Sequence, residues 1–478
     1  MLRQETQETV LKTLFDVIWD GHFVATRSDG LSLIHIDRHV LHDLHAPPAF
    51  ARLNKSGYAV RRPDLTVAVT DHTVSTLPAR NANSSPQSAE FIAATRAGAT
   101  RHGITLLDLD HPAQGIVHVV TPELGIALPG GTLACPDSHA CTVGGLGTLA
   151  FATGTTELVH VLATQMLALR RPRQMRIRLD GVLPPHVSAK DLILYLIGHF
   201  GSSLARGHAV EFSGAVARAL PVEARLTLCN MVTELGGRTG IIAPDDTVFS
   251  WLAGRPCTPQ GAQWDAALTH WRTLKTDDDA QFDHDLSVDC SKLEPQITWG
   301  VDPTHVLPVS GHVPDPAALD ANARAPLEQA LDYMGLAPGT PLEGVPIDRV
   351  FIGSCTNARL SDLEAAAQIV RGRKIAAGIQ AAVVPGSSGV KAEAERLGLD
   401  RVFVEAGFEW RSSGCSMCAG LNGDEGRAGE RIVSTTNRNF AGRQGAGVRT
   451  HLASPAMAAA AALAGHITDV RRYSGHSH

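Results

Sequence analysis

Three cysteines carry the most specific chemistry in this chain. Cys355 lies in VFIGSCTNARLSDL, and Cys415 and Cys418 form a C-x-x-C pair in GFEWRSSGCSMCAGLNGD. One cysteine followed about 60 residues later by a close pair gives three thiolates rather than four. Three thiolates underfill a tetrahedral zinc site and leave one iron of a four-iron cluster without a protein ligand. An open metal position is what a Lewis-acid catalyst uses and what a structural site avoids. The plainer alternative is a zinc or redox pair at Cys415 and Cys418, with Cys355 a packed small residue. Gly353 and Gly414 allow close backbone approach beside both segments. Cys355 falls between an expected strand and an expected helix start, where a helix dipole would favour thiolate. Cys135, Cys141, Cys229, Cys257 and Cys290 have no such spacing and read as packed or surface residues.

A second group pairs acid with imidazole: Asp71-His72, His118, and Asp137-Ser138-His139. With 22 histidines in the chain, chance pairs are expected, so each alone is weak. Together they gain weight, because each follows a strand-like run. An aspartate beside a histidine sets its tautomer and charge, as proton transfer to a leaving hydroxyl requires. A third group is NRNFAGRQGAGVRTH at 437–451. It reads either as a Gly/Arg-rich surface loop or as a carboxylate clamp, since arginine offers two parallel donors. Arg438 and Arg443 are the candidates, with Asn437 as a neutral donor. Asn230 and Glu234 stand one helical turn apart in TLCNMVTELGGRTG and could share a face.

Something must hold these residues at loop starts. Strand-like runs at 65–71, 115–120 and 131–135 precede the acid–histidine groups, and 350–354, 381–386, 401–408 and 431–437 continue the pattern. The stretch 144–169 reads as helical in period, and 254–300 as a loop-rich connection. Ser361 with Glu364 has the form of a capping box. Ser454 and Pro455 look like the start of a buried helix through AMAAAAALAG. Repeated β-α-β order implies α/β architecture with mainly parallel sheets, in which sites gather at the carboxyl ends of strands. The expected divisions are 1–172, 173–300 and 301–470, with 471–478 a disordered tail.

Bulk properties narrow the classes. The 478 residues suffice for several domains, and 44% hydrophobic with 19% charged residues fits a globular chain. A net charge of −6 argues against nucleic acid as a partner. Eight cysteines are too few for a disulfide scaffold, which points to a reducing compartment. No run is long enough to span a bilayer, and the start lacks a secretory signal, so a cytoplasmic location is expected.

Together these motifs resemble the aconitase superfamily, and within it the large subunits of the isopropylmalate dehydratases. The resemblance runs nearly end to end. It is carried by IHIDRHVLHDL, VAVTDHTVST, GIVHVVTPELGIALPGGTLACPDSHACT, GTTELVHVLATQ, TLCNMVTELGGRTG, HWRTLKTDDDAQFD, EPQITWG, FIGSCTNARLSDL, AGFEWRSSGCSMC and NRNFAGRQG. It implies three α/β domains around a central [4Fe-4S] cluster on Cys355, Cys415 and Cys418. It also implies a hydro-lyase acting on a small hydroxy-dicarboxylate, in leucine biosynthesis. Asp71, His72, His118, Asp137, His139 and Glu234 would serve the leaving hydroxyl. Ser138, Asn230, Arg438 and Arg443 would bind substrate, and Asn437 would hold the cluster edge. The family's serine base and further arginines lie on a swivelling fourth domain, so a separate small swivel-domain subunit is expected. The chain departs from the family pattern at Pro48, Cys141 and Val143. A paralogue for citramalate, dimethylmalate or homocitrate is therefore the alternative, ahead of an RNA-binding iron sensor or a noncatalytic zinc protein.

Overall fold

The structure, a computed structural model, describes residues 11–84, 86–318 and 321–473. Its frame is three parallel sheets. The first has strands β1 (Arg38–His42), β2 (Thr66–Val69), β3 (Thr105–Leu107), β4 (Thr132–Cys135) and β5 (Leu149–Ala152), in the order β3-β2-β1-β4-β5. The second has β6 (Arg173–Asp180), β7 (His208–Ser213), β8 (Thr239–Ile242) and β9 (His284–Asp289), in the order β8-β7-β6-β9. The third has β10 (Arg349–Ile352), β11 (Gln380–Val383), β12 (Glu409–Trp410), β13 (Arg431–Ser434) and β14 (Arg449–Leu452), in the order β12-β11-β10-β13-β14. Short antiparallel ladders, Phe23–Thr26 with Ser32–His35 and Met166–Leu169, and Gln296–Thr298 with Val306–Pro308, flank them.

The two five-stranded sheets share one device. In each, the strand order reverses beside the first strand in sequence, between β1 and β4 and between β10 and β13. Crossovers leave such a switch point in opposite directions and open a crevice at the carboxyl ends of the strands. Asp71 and Asp137 follow β2 and β4; Cys355 and Asn437 follow β10 and β13.

Helices seal the sheets. Helix α6 (Pro455–Ala464) starts at Ser454 with Pro455 in its first turn, and Ala458 to Ala462 are buried. All-round burial of small side chains lets it pack closely on α4 (Leu360–Val370). Gly144 shows the same economy elsewhere. A Cβ there would sit 1.7 Å from the Gly240 carbonyl oxygen, so only glycine lets the turn Ala140–Leu146 lie on β8.

Several expectations change. His118 is not on a strand: Val117–Glu123 is helix α1, and the strand-like run 115–120 is its first turn. The segment 144–169 is not one helix but a 3-10 turn, β5, the helix Thr155–Thr164 and the strand Met166–Leu169. Residues 401–408 fall mainly in helix α5 (Leu399–Ala406), where Leu399, Phe403 and Ala406 recur at helical spacing and are buried. The 254–300 connection contains the helix Ala262–Trp271 and strands β9 and Gln296–Thr298. Helix α4 starts at Arg359, whose backbone N–H donates to Asp362 at 3.1 Å; Ser361 instead bonds Glu223. Arg471–Tyr473 belong to a helical turn, and 474–478 lie outside the described residues.

Candidate active site

The two crevices face one another and share a cavity of about 40 Å³. The third sheet supplies the thiols. Cys355, Cys415 and Cys418 are buried, none is in a disulfide, and all three line the cavity. Cys355 lies five residues before α4, so the helix N-terminus does not stabilise its thiolate. Burial instead pushes the Cys355 thiol up to about 12, and raises Cys415 well above its usual value. Amide and hydroxyl donors offset part of this. Asn230 Nδ2 donates to Cys355 Sγ at 3.2 Å, Asn437 Nδ2 to the same sulfur at 3.5 Å, and Ser354 Oγ to Cys418 Sγ at 3.3 Å. Asn230 ends helix α3 (Val222–Asn230), and Glu234 follows one 3-10 turn later, so both reach the cavity side.

The first sheet supplies the acid–imidazole network. Asp71 is fully buried; its Oδ1 meets His72 Nδ1 at 2.6 Å, and its Oδ2 accepts from the Val117 N–H at 2.9 Å. Asp137 Oδ1 meets His118 Nε2 at 2.7 Å and accepts from the His139 N–H at 2.8 Å. Asp137 Oδ2 lies 3.4 Å from His72 Nε2. Burial opposes ionisation of Asp137, but His118 and the hydrogen bonds from His139 and His72 outweigh it and hold the carboxyl well below the usual range. Burial likewise disfavours a charged His72, yet Asp71 and Asp137 raise it well above an ordinary histidine.

The third element joins the sheets. Glu234 Oε1 accepts from Arg438 Nε at 2.9 Å and meets His139 Nε2 at 3.0 Å. Arg438 Nη2 donates to Ser138 Oγ at 2.9 Å. Burial lowers the His139 pKa, but Glu234 and Asp137 more than offset it and carry it to about 9. Among the expected site residues, two buried polar atoms have no hydrogen-bond partner among the described residues: Glu234 Oε2, an acceptor, and Arg443 Nε, a donor. Arg443 lines the cavity, with no ion-pair partner among the described residues.

The sequence matches the aconitase family (aconitate hydratase) over residues 16–465. This chain belongs to the aconitase family. It is 54% identical over 461 residues to "3-isopropylmalate dehydratase large subunit 1" of Bradyrhizobium diazoefficiens, covering 96% of both chains. Aconitase X of Thermococcus kodakaraensis in its holo form overlaps 85% of this chain and 84% of its own, at 13% identity and a TM-score of 0.46. That overlap is too loose to carry an argument.

Aconitase-family proteins carry an iron–sulfur cluster, and the residues here fit one. Three buried thiols with amide and hydroxyl donors aimed at their sulfurs suit metal-bound thiolate, which such burial otherwise penalises. Among the described residues the three sulfurs do not converge to within 4.8 Å of one another. Ligands of a single zinc, at about 2.3 Å from the metal, would.

Of the expected site residues, His72, His118, Asp137, Ser138, His139, Cys355, Cys415, Cys418, Asn437, Arg438 and Arg443 line the cavity, and Asp71, Asn230 and Glu234 stand behind it, hydrogen-bonded to lining residues. Sequence reasoning missed their supports. Asp43 accepts from the N–H groups of His72 and Thr73 at 3.0 and 2.9 Å and so fixes the Asp71-His72 turn. His42 stacks on His72 with ring centroids 4.1 Å apart. Arg80 bonds the Ser413 carbonyl and Gln114 Oε1, tying down the Cys415 loop. Asp43 and His42 stand within IHIDRHVLHDL, an available signal; Arg80 had none. His42, Asp43, Asp71 and His72 also form a compact possible metal-ligand group, but backbone N–H groups already occupy Asp43. Pro48, Cys141 and Val143 do not line the cavity; Pro48 is exposed on another helix.

Proposed function

We propose that this chain is the cluster-bearing large subunit of a 3-isopropylmalate dehydratase, a hydro-lyase that interconverts 2- and 3-isopropylmalate in leucine biosynthesis. The observation that carries the reading is 54% identity to such a subunit over 96% of both chains. The finer assignments are a [4Fe-4S] cluster on Cys355, Cys415 and Cys418, and a small subunit that completes the site. When bound, the cluster's open iron supplies Lewis-acid help to the leaving hydroxyl.

The chain's own residues supply the rest. His72 and His139 hold protons beside the cavity at neutral pH, because Asp71, Asp137 and Glu234 keep the imidazoles charged. Either can pass a proton to the departing hydroxyl, which leaves as water; the reverse transfer returns it when water adds at the neighbouring carbon. Asp137 orients His118 and His139 together. Arg438, fixed by Glu234 and Ser138, and Arg443, with its free Nε, bind the substrate carboxylates. Asn230 and Asn437 hold the cluster edge through Cys355. The base that removes the C–H proton is assigned to the small subunit.

Mixing the cluster-loaded chain with its small subunit and 3-isopropylmalate should produce 2-isopropylmalate, detected by chromatography. The lone chain should turn over poorly. Full activity without a partner would contradict the two-subunit assignment, and no product with the partner would contradict the reaction.

A further inference from the structure

Lys190 is a cation in an unfavourable place. It lies in the first turn of helix α2 (Ala189–Phe200), where the helix dipole opposes positive charge. It is 0% exposed, and among the described residues no carboxylate lies within ion-pair distance of it. Its Nζ donates instead to the carbonyls of Thr435 at 3.0 Å and Thr436 at 2.5 Å. A buried, unpaired ammonium at a helix N-terminus is costly on all three counts. Burial accordingly lowers its pKa to about 8.

Its surroundings explain the placement. Thr435 and Thr436 directly precede Asn437, which faces Cys355 Sγ, and Thr435 Oγ1 accepts from the Gly353 N–H at 2.9 Å. Lys190 is thus bonded to the strand end beside the cysteine loop. The anionic groups within its electrostatic reach are Glu234, Cys418, Cys355 and Asp362. Glu234 is already engaged by His139 and Arg438, and Asp362 accepts from Asn357 and the Arg359 N–H. As cluster ligands the cysteines would be thiolates, and Lys190 joins Arg359 beside Cys355, Arg438 beside Cys418 and His72 beside Cys415 as the cations around them.

We propose that Lys190 is a positioning residue whose fixed charge balances the thiolate-bound cluster and raises its reduction potential, while its two carbonyl bonds hold the strand end that presents Asn437 and Arg438. A nearby cation favours the more negative, reduced form of a cluster, because net charge around the sulfurs sets the potential. The proposal rests on the cluster reading above.

The test uses the cluster-loaded chain, titrated with dithionite and followed by electron paramagnetic resonance. Lys190→Met and Lys190→Gln should lose at least tenfold in preference for the reduced form, about 59 mV for one electron. Lys190→Arg, which keeps the charge, should stay within about threefold of the unaltered chain. A neutral variant with full iron and sulfide and an unshifted potential overturns the proposal. If neutral variants assemble no cluster, iron content and melting of the cluster-free chains decide. Wild-type melting with iron restored only by arginine supports it; loss of iron in the arginine variant, or of cooperative melting in the neutral variants, overturns it. An unaltered chain without iron and sulfide would instead defeat the cluster reading itself.

Discussion

His139 Nε2 and Glu234 Oε1 lie 3.0 Å apart, bridging the loop after β4 and the turn after α3. The pair keeps His139 protonated up to about pH 9, against 6.5 for an ordinary histidine. Because the folded pKa is raised, the proton and the stabilisation it brings are fully present below about pH 6.5. Both are lost as pH rises through about 9. The kcat/KM profile of the two-subunit enzyme should fall on its alkaline side near that value. Glu234→Gln should move the fall toward neutrality, and an unmoved limb would exclude His139 as the titrating acid.

Asp137 meets three histidines, so replacing it should disturb several roles together. Asp137→Asn should cut kcat by about 100-fold or more, the scale of general acid–base catalysis. Circular dichroism should remain native, because the amide fits the same space. A loss below about threefold would show that the network is structural.

The cysteines separate by position. Cys355→Ser, Cys415→Ser and Cys418→Ser should each lose most of the iron and sulfide, measured per chain. Cys257→Ser should lose none, since Cys257 is exposed and away from the cavity. Iron kept in all three cavity variants would defeat the ligand assignment.

Arg438 bonds Glu234 and Ser138 with two different nitrogens, a geometry that lysine cannot copy. Arg438→Lys should lower kcat/KM by roughly 10- to 100-fold, equal to about 1.5–3 kcal/mol for a charged hydrogen bond. Arg443, with no ion pair to break, should act on KM alone. Steady-state kinetics separates the two cases.

Much of this was readable in the residues. The cysteine spacing and the Asp71-His72 and Asp137-Ser138-His139 segments identify themselves, because the chemistry needs those types together. Helix α5 reads as a strand in the sequence because Val402, Phe403 and Val404 look like one locally. Its helical signal is the wider spacing of Leu399, Phe403 and Ala406, whose burial decides the outcome. The helical setting of His118 stayed hidden for a different reason. Val117 to Val120 face the core on all sides, so neither period shows. Asp43, Arg80 and Lys190 act through backbone groups distant in sequence, and such partners appear only once the chain is folded.

Substrate preference decides whether this aconitase-family site acts on isopropylmalate. The most direct measurement is kcat/KM of the cluster-loaded chain with its small subunit, against 3-isopropylmalate, citramalate, dimethylmalate and homocitrate. 3-Isopropylmalate should be preferred by at least about tenfold, the scale of discrimination a differing apolar group provides. A higher value for any of the other three would contradict it.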